Sequence, residues 1–194
     1  MTHPENDLRE QILSTAKSLF IQQGYHGLAM RQISEALGVS KAALYYHFKD
    51  KEELFLAILT SYLNDIETLL DHILAEQVSD RERIRMFVES VLRQQAEQRA
   101  VIRLASQEMA QLSDKARKDF AKLYQQKFIG KLALIYKQGV EAGEFRPLQA
   151  EVATWALMGI MYPYFYPAHT GSKPLSAETI QTVVDIYLNG VTQA

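Results

Sequence analysis

No proline occurs between Pro4 and Pro147. Proline is the residue that most reliably breaks a helix, because it lacks the amide proton and its ring clashes with the preceding turn. A span of this length without it can be built from long, unbroken helices, and the apolar residues fall at helical spacing throughout. Ile12, Leu13, Ala16, Leu19 and Phe20 form one buried stripe of a helix over about 7–23. Asp7 with Glu10 three residues later resembles a capping box at its start, and Gly24 ends it. After Asp50, the residues Leu54, Ile58, Leu59, Tyr62, Ile66, Leu69, Leu70, Ile73 and Leu74 hold the period over about seven turns. A helix that long leaves a small N-terminal domain and enters the next one.

Further helices follow. Ser79 and Glu82 make a second capping box, opening a helix through Ile84, Phe87, Val88, Val91 and Leu92. A shorter helix spans about 101–111. Ser113 caps a long one carrying Phe120, Leu123, Tyr124, Phe128, Leu132 and Ile135, which Gly139 and Gly143 end. An apolar helix over about 150–162 runs into a tract, Met161 to Pro167, that kinks or ends it. A loop over 171–174 precedes a last helix, capped by Ser176, with Ile180, Val183, Val184, Tyr187, Leu188 and Val191. No β-type alternation of useful length, internal repeat or low-complexity segment occurs. The expected fold is all-α, with about nine helices in total.

The chain has 194 residues, 47% hydrophobic and 23% charged, enough for one or two cores. It has no cysteine, which excludes disulfides and thiolate metal sites and is compatible with the cytosol. No apolar run approaches the ~20 residues needed to cross a bilayer. Residues 2–11 are mostly polar and do not form a signal segment. A cytoplasmic protein without a membrane partner is expected. Net charge is −2, too low for general coating of nucleic acid. Residues 25–51 differ: Arg31, Lys41, Lys49 and Lys51 face only Glu35 and Asp50, with His26 and His47 in addition. A small local patch on a mildly acidic chain suits sequence-selective DNA binding.

That patch coincides with a motif over about 29–48. Ile33, Ala36 and Leu37 form a short stripe, and Gly38 stands where a helix stops in the left-handed conformation. Ser40 is placed to cap a second short helix whose Leu44 and Phe48 face inward. Lys41, Ala42, Tyr45, Tyr46 and His47 remain on or near the outward side. This is helix-turn-helix geometry, in which the second helix enters the major groove. Two short helices around a glycine also occur in many all-α proteins, so the flanking residues matter. Gly24-Tyr25, Met30-Arg31-Gln32-Ile33, Gly38-Val39-Ser40, Leu44-Tyr45-Tyr46-His47-Phe48 and Lys51-Glu52-Glu53-Leu54, taken together, resemble the DNA-binding domain of the tetracycline-repressor (TetR) family over roughly residues 8–60.

The resemblance implies a three-helix DNA-binding domain over 6–50 and a helical effector-binding and dimerisation domain over 51–194. It implies that Arg31, Lys41, Ala42, Ala43, Tyr45, Tyr46, His47 and Lys51 contact DNA. Arg31 can reach a phosphate or a guanine edge, and the alanines can touch a thymine methyl. For Tyr45 a half-buried core phenol is the alternative, and for Lys51 an ordinary solvated lysine. The sequence departs from the family's pattern just before the motif, where Leu28, Ala29 and Met30 stand in place of a Ser or Thr. Ala29 has no side-chain acceptor for the helix start and no hydroxyl for a phosphate.

No nucleophile elbow, phosphate loop, dinucleotide turn or zinc-protease motif is present. No enzyme activity, cofactor or metal is expected, although His47 with Asp50 and His72 with Glu76 stand at helical spacing. His3 falls in the polar N-terminal segment. Phe87, Met109, Phe120, Tyr124, Phe128, Trp155, Met158 and Tyr162 are candidate linings of a pocket for an apolar or aromatic effector. For any one of them a core side chain is the favoured alternative, and Met86 belongs to the same set. Arg103, Gln107 and Glu108 could orient a ligand. Two surfaces suit a dimer: Val152, Ala156, Gly159 and Ile160 on one helix, and Ile180, Val184, Tyr187 and Val191 on the last. The expected function is a homodimeric repressor, bound to a palindromic operator in double-stranded DNA and released by a small molecule. The alternatives are a DNA-binding protein of this fold without a small ligand, and an all-α enzyme with an incidental motif.

Overall fold

A computed structural model describes residues 4–166 and 174–192 of the chain. His3, Pro167 and residues 171–173 of the expected loop lie outside them. The helices are α1 (Pro4–Gly27), α2 (Met30–Leu37), α3 (Lys41–His47), α4 (Lys51–Ala75), α5 (Asp80–Leu92), α6 (Ala96–Glu108), α7 (Asp114–Tyr124), α8 (Gly130–Glu141), α9 (Ala150–Met161) and α10 (Ala177–Val191). A π-helical turn, Gln125–Ile129, joins α7 to α8 without a break, so the described residues form nine rods, as expected. The one β feature among them is an isolated bridge between Phe145 and Thr192.

The expected caps form. Ser40 Oγ accepts from Ala43 N at 3.1 Å, Ser79 Oγ from Glu82 N at 3.2 Å, and Ser176 Oγ from Thr179 N at 3.1 Å. Asp50 Oδ1 accepts from Glu53 N at 2.8 Å, while Glu53 reaches back to Lys49 N at 2.9 Å. Each such cap contributes about 1 kcal/mol. Gly24 breaks the helical path of α1 as expected, with φ 72°, ψ 175°. Two helix starts differ from expectation. α1 begins at Pro4, not Asp7, because proline is well suited to a first helical turn, where its missing donor costs nothing. α6 begins at Ala96, not near 101: the Gln98 side chain accepts from Gln95 N at 3.1 Å, a cap without Ser, Thr, Asp or Asn.

By contact the chain divides into two compact units that do not follow its order. One comprises Met1–Tyr62 with Ala100–Phe120, and the other Leu63–Arg99 with Ala121–Ala194. The first is cored by Ile12, Ala16, Phe20, Ile33, Leu44 and Phe55, with the Phe20 and Phe55 rings 5.0 Å apart, edge to face. The second is cored by Val88, Ile135, Tyr136, Leu157, Val184 and Leu188. In it Phe145 stacks on Tyr136 and lies against Gly139, where any Cβ would collide with its ring. Burying one such Leu, Ile or Phe side chain contributes about 1.5–3 kcal/mol.

Candidate nucleic-acid interface

The α2–α3 pair is built from its turn outward. Gly38 adopts φ 67°, ψ 26°, and its N–H and that of Val39 return to the last carbonyls of α2. That left-handed residue sets the angle between the helices, and glycine reaches it without strain. Ile33 and Leu44 are fully buried. Phe48 closes the end of α3, with the Arg9 guanidinium 5.2 Å from its ring centroid. α2 has no N-cap side chain at Ala29. Gln32 replaces it in part, its Oε1 accepting from Ala29 N at 2.7 Å, while Leu28 and Met30 bury their side chains where a hydroxyl was expected.

With its apolar side anchored, α3 presents the rest. Lys41 and Ala42 are exposed, Ala43 and His47 half-buried, and Tyr45 and Tyr46 are 50% and 75% exposed. Tyr45 is therefore not a core phenol. The Tyr46 and His47 rings meet edge to face at 5.2 Å. Arg31 is exposed on α2 and pairs with Glu35 one turn on, at 2.6 Å. One cation, two phenols and an imidazole on so short a helix supply donors for phosphate oxygens and base edges, and the two alanines supply methyl groups for thymine.

Lys51 is neither free nor simply solvated. Its ammonium donates to Tyr25 O at 2.7 Å and Leu28 O at 3.0 Å, and sits 4.3 Å from the Tyr25 ring centroid. Burial lowers its pKa, and the nearby Glu108 carboxylate partly offsets this. Two of its three donors hold the α1–α2 connection, leaving one direction for an outside acceptor.

The same unit holds contacts that no local pattern in the sequence signals. Glu52, in the first turn of α4, accepts from Ser113 N at 2.7 Å and from Ser113 Oγ at 2.9 Å, so it braces the residue that caps α7, whose Oγ accepts from Ala116 N at 3.3 Å. His26 Nε2 lies 2.5 Å from Gln111 Oε1. A Cβ on Gly24, at φ 72°, would come within 3.0 Å of Glu108 Oε1. The α6–α7 connection thus lies against the end of α1 and the start of α4. Periodicity cannot reveal partners 61 to 85 positions apart.

The candidate effector residues separate. Phe87 and Phe128 are 5.9 Å apart, Phe128 and Tyr124 5.2 Å, and Tyr124 and Trp155 6.4 Å, a ladder running from buried Phe87 to half-exposed Trp155. Burial pushes the Tyr124 phenol up to about 12. Met158 is buried on α9, and Tyr162 pairs with Tyr166 through their hydroxyls at 2.6 Å. Met109 and Phe120 belong to the other compact unit. On α9, Val152 and Trp155 are 59% and 52% exposed, with Ala156 and Gly159 exposed beside them. The matching expectation for the last helix is corrected: Ile180, Val184, Tyr187 and Val191 are all buried within the chain, and the Tyr187 hydroxyl donates to Ala153 O at 3.0 Å. Ile186 is the large apolar side chain that α10 exposes.

Two family models match the chain: bacterial regulatory proteins of the tetR family over residues 12–58, and the tetracyclin repressor-like C-terminal domain over residues 77–164. The chain is 36% identical over 87 residues to the HTH-type transcriptional activator FasR of Mycolicibacterium smegmatis, a match covering 45% of this chain and 40% of that protein. It is similar in fold to a tetR-family regulatory protein from Rhodococcus RHA1, with a TM-score of 0.83, 24% identity and all of both chains covered. A regulator from Saccharomonospora viridis, in complex with choline, has a TM-score of 0.80 at 22% identity, covering 97% of this chain and 100% of that one.

Proposed function

The chain belongs to the TetR family of DNA-binding transcriptional regulators, and on that premise we propose that it is a homodimeric repressor which a small apolar or aromatic ligand releases from a palindromic operator. It is a regulator and not an enzyme. No described helix is long and apolar enough to cross a membrane. Its place of action is the cytoplasm, where the DNA is.

The outward face of α3 carries this reading. Lys41 and Ala42 enter the major groove first and read bases, and Ala43 follows them. Tyr45, Tyr46 and His47, with Arg31, hold phosphates on either side. Lys51 adds one phosphate contact with its remaining donor while fixing the α1–α2 connection. Phosphate contacts set register, and the few base contacts set sequence. A dimer formed through the outward face of α9 would separate two recognition helices by about one DNA turn, ~34 Å, and require a two-fold operator. Repression is the simplest outcome, since a protein seated on a promoter obstructs the polymerase without further contacts.

The effector site is proposed along the ladder of Phe87, Phe128, Tyr124 and Trp155, with Met158 and Tyr162 on α9 and its extension. Met109 and Phe120, in the other compact unit, remain separate candidates. The fold-mate from S. viridis, in complex with choline, supports small-molecule control in this fold. α7 carries Tyr124 at its last position and follows its cap Ser113 at the other end, so a shift of that rod reaches the Ser113–Glu52 contact. Reciprocity then requires DNA to weaken ligand binding by the factor by which ligand weakens DNA binding, about 1–3 kcal/mol. The test is a mobility-shift titration on the region upstream of the chain's own gene, with and without ligands from a thermal-shift screen. Specific binding that a ligand weakens, with the reciprocal effect, is expected. Specific binding that no ligand alters would favour regulation by a protein partner, and no specific binding would end the operator assignment.

A further inference from the structure

Two arginines in the second compact unit are held inside the protein, and they differ in one respect. Arg83 carries its own counter-ion: Nη1 donates to Asp80 at 2.8 Å and to Gln138 at 3.2 Å, and Nη2 donates to Leu74 O and Glu76 O at the end of α4. Asp80 is itself buried. This is a structural arginine, closing a helix end with its charge balanced.

Arg99, in the first turns of α6, is 1% exposed. It too closes a helix end, with Nη1 donating to Leu92 O at 3.0 Å and to Gln94 O at 2.6 Å. Its Nε is unpaired, as is that of Arg83. There the likeness ends: among the described residues no carboxylate lies within ion-pair distance of Arg99, and no hydrogen bond uses its Nη2. Burial lowers the pKa of this group and no acid offsets the effect. A guanidinium stays charged in proteins, and an uncompensated buried charge is costly. The unused Nε–Nη2 edge is one of the two-donor forks with which arginine takes a carboxylate in parallel bonds. Its immediate neighbours Leu92 and Ala100 are buried and apolar.

We propose that Arg99 is the recognition residue for the carboxylate of an effector, whose class is an organic acid with an apolar body. The carboxylate binds the Nε–Nη2 edge and supplies the counter-ion that Arg83 finds in Asp80. The apolar body lies in the interior that already excludes water from Arg99. The inference rests on the effector-controlled reading and deepens it, because aromatic rungs alone do not choose between neutral and charged ligands.

The test uses the full chain and two pairs of probes: hexanoate against 1-hexanol, and 4-phenylbutyrate against 4-phenylbutanol. Thermal shift and calorimetry give affinities for the unmodified protein and for Arg99→Gln and Arg99→Lys. At least one acid should stabilise the unmodified protein saturably while its alcohol does not. Arg99→Gln, with a native circular dichroism spectrum, should bind that acid at least about tenfold more weakly. Arg99→Lys should fall between, having the charge without the fork. Equal response to acid and alcohol, no response to either acid, or full affinity in Arg99→Gln would overturn the assignment. If Arg99→Gln does not fold, the acid–alcohol contrast and Arg99→Lys still decide it. An acid that binds through Arg99 yet leaves operator affinity unchanged would uphold the carboxylate site and end the effector reading. Release of DNA by a neutral probe alone would do the reverse.

Discussion

The outward faces of α3 and α9 both expose large aromatic side chains, and they call for opposite partners. On α3, Tyr45 and Tyr46 stand among Lys41, His47 and Lys49. On α9, Trp155 stands among Val152, Ala156 and Gly159, and the acid of its first turn, Glu151, is 3.7 Å from Lys137. A phenol beside cations offers donors to an anionic polymer. An indole beside small apolar groups offers only area, and small residues let a second helix approach closely. Exposed aromatics therefore do not name a partner. Their neighbours do, as proposed: DNA for α3 and a second copy of the chain for α9.

The sharpest way to break that contrast is to charge the α9 face. Val152→Asp combined with Trp155→Glu should give a folded monomer in sedimentation. Operator affinity should fall by about 10²-fold or more, since the two half-sites no longer bind as one unit. A persistent dimer would show that α9 is not the interface. Within α3, the inner and outer faces should separate cleanly. Leu44→Ala should lower unfolding free energy by about 2–5 kcal/mol. Tyr46→Ala should leave it within about 0.5 kcal/mol and weaken operator binding by roughly tenfold. An equal stability loss for both would place Tyr46 in the core.

Lys51→Met sharpens the boundary between positioning and contact. Loss of its bonds to Tyr25 O and Leu28 O should cost about 1–3 kcal/mol in denaturant unfolding. If its third donor meets a phosphate, the slope of log affinity against log salt should also fall by about 1. A stability loss with an unchanged slope would make Lys51 a brace only.

The smallest effect concerns the buried phenol of the ladder. Tyr124 titrates near 10 in the unfolded chain and is pushed up to about 12 in the fold, because burial disfavours the phenolate. Between these values the unfolded state releases the proton first. The stabilising contribution is therefore full below pH ~10 and is lost as pH rises toward ~12. Burial likewise raises the Tyr187 phenol. Tyr124→Phe should flatten the alkaline fall in stability in part, leaving the share due to Tyr187, Tyr136 and Tyr25, whose phenols burial also raises. An unaltered alkaline limb would show that Tyr124 is solvated.

What the sequence determined by itself is local: the all-α class, nearly every helix, the caps at Ser40, Ser79, Ser113 and Ser176, and the inward and outward sides of α3. Each rests on residues within a few positions of one another, where spacing translates directly into direction. The start of α6 was not legible, because glutamines supply its cap. The π turn at Gln125–Ile129 was not legible either, since nothing in its side chains departs from an ordinary helical pattern. Only the tertiary structure decided which apolar faces stay open. Val152 and Val184 are the same residue type at equivalent-looking positions, yet one is exposed and the other is core. It alone joined Glu52 to Ser113 and His26 to Gln111. It alone separated an arginine with a counter-ion from one without. These are distances between segments far apart in the chain, fixed by packing as a whole, and no period or propensity carries them.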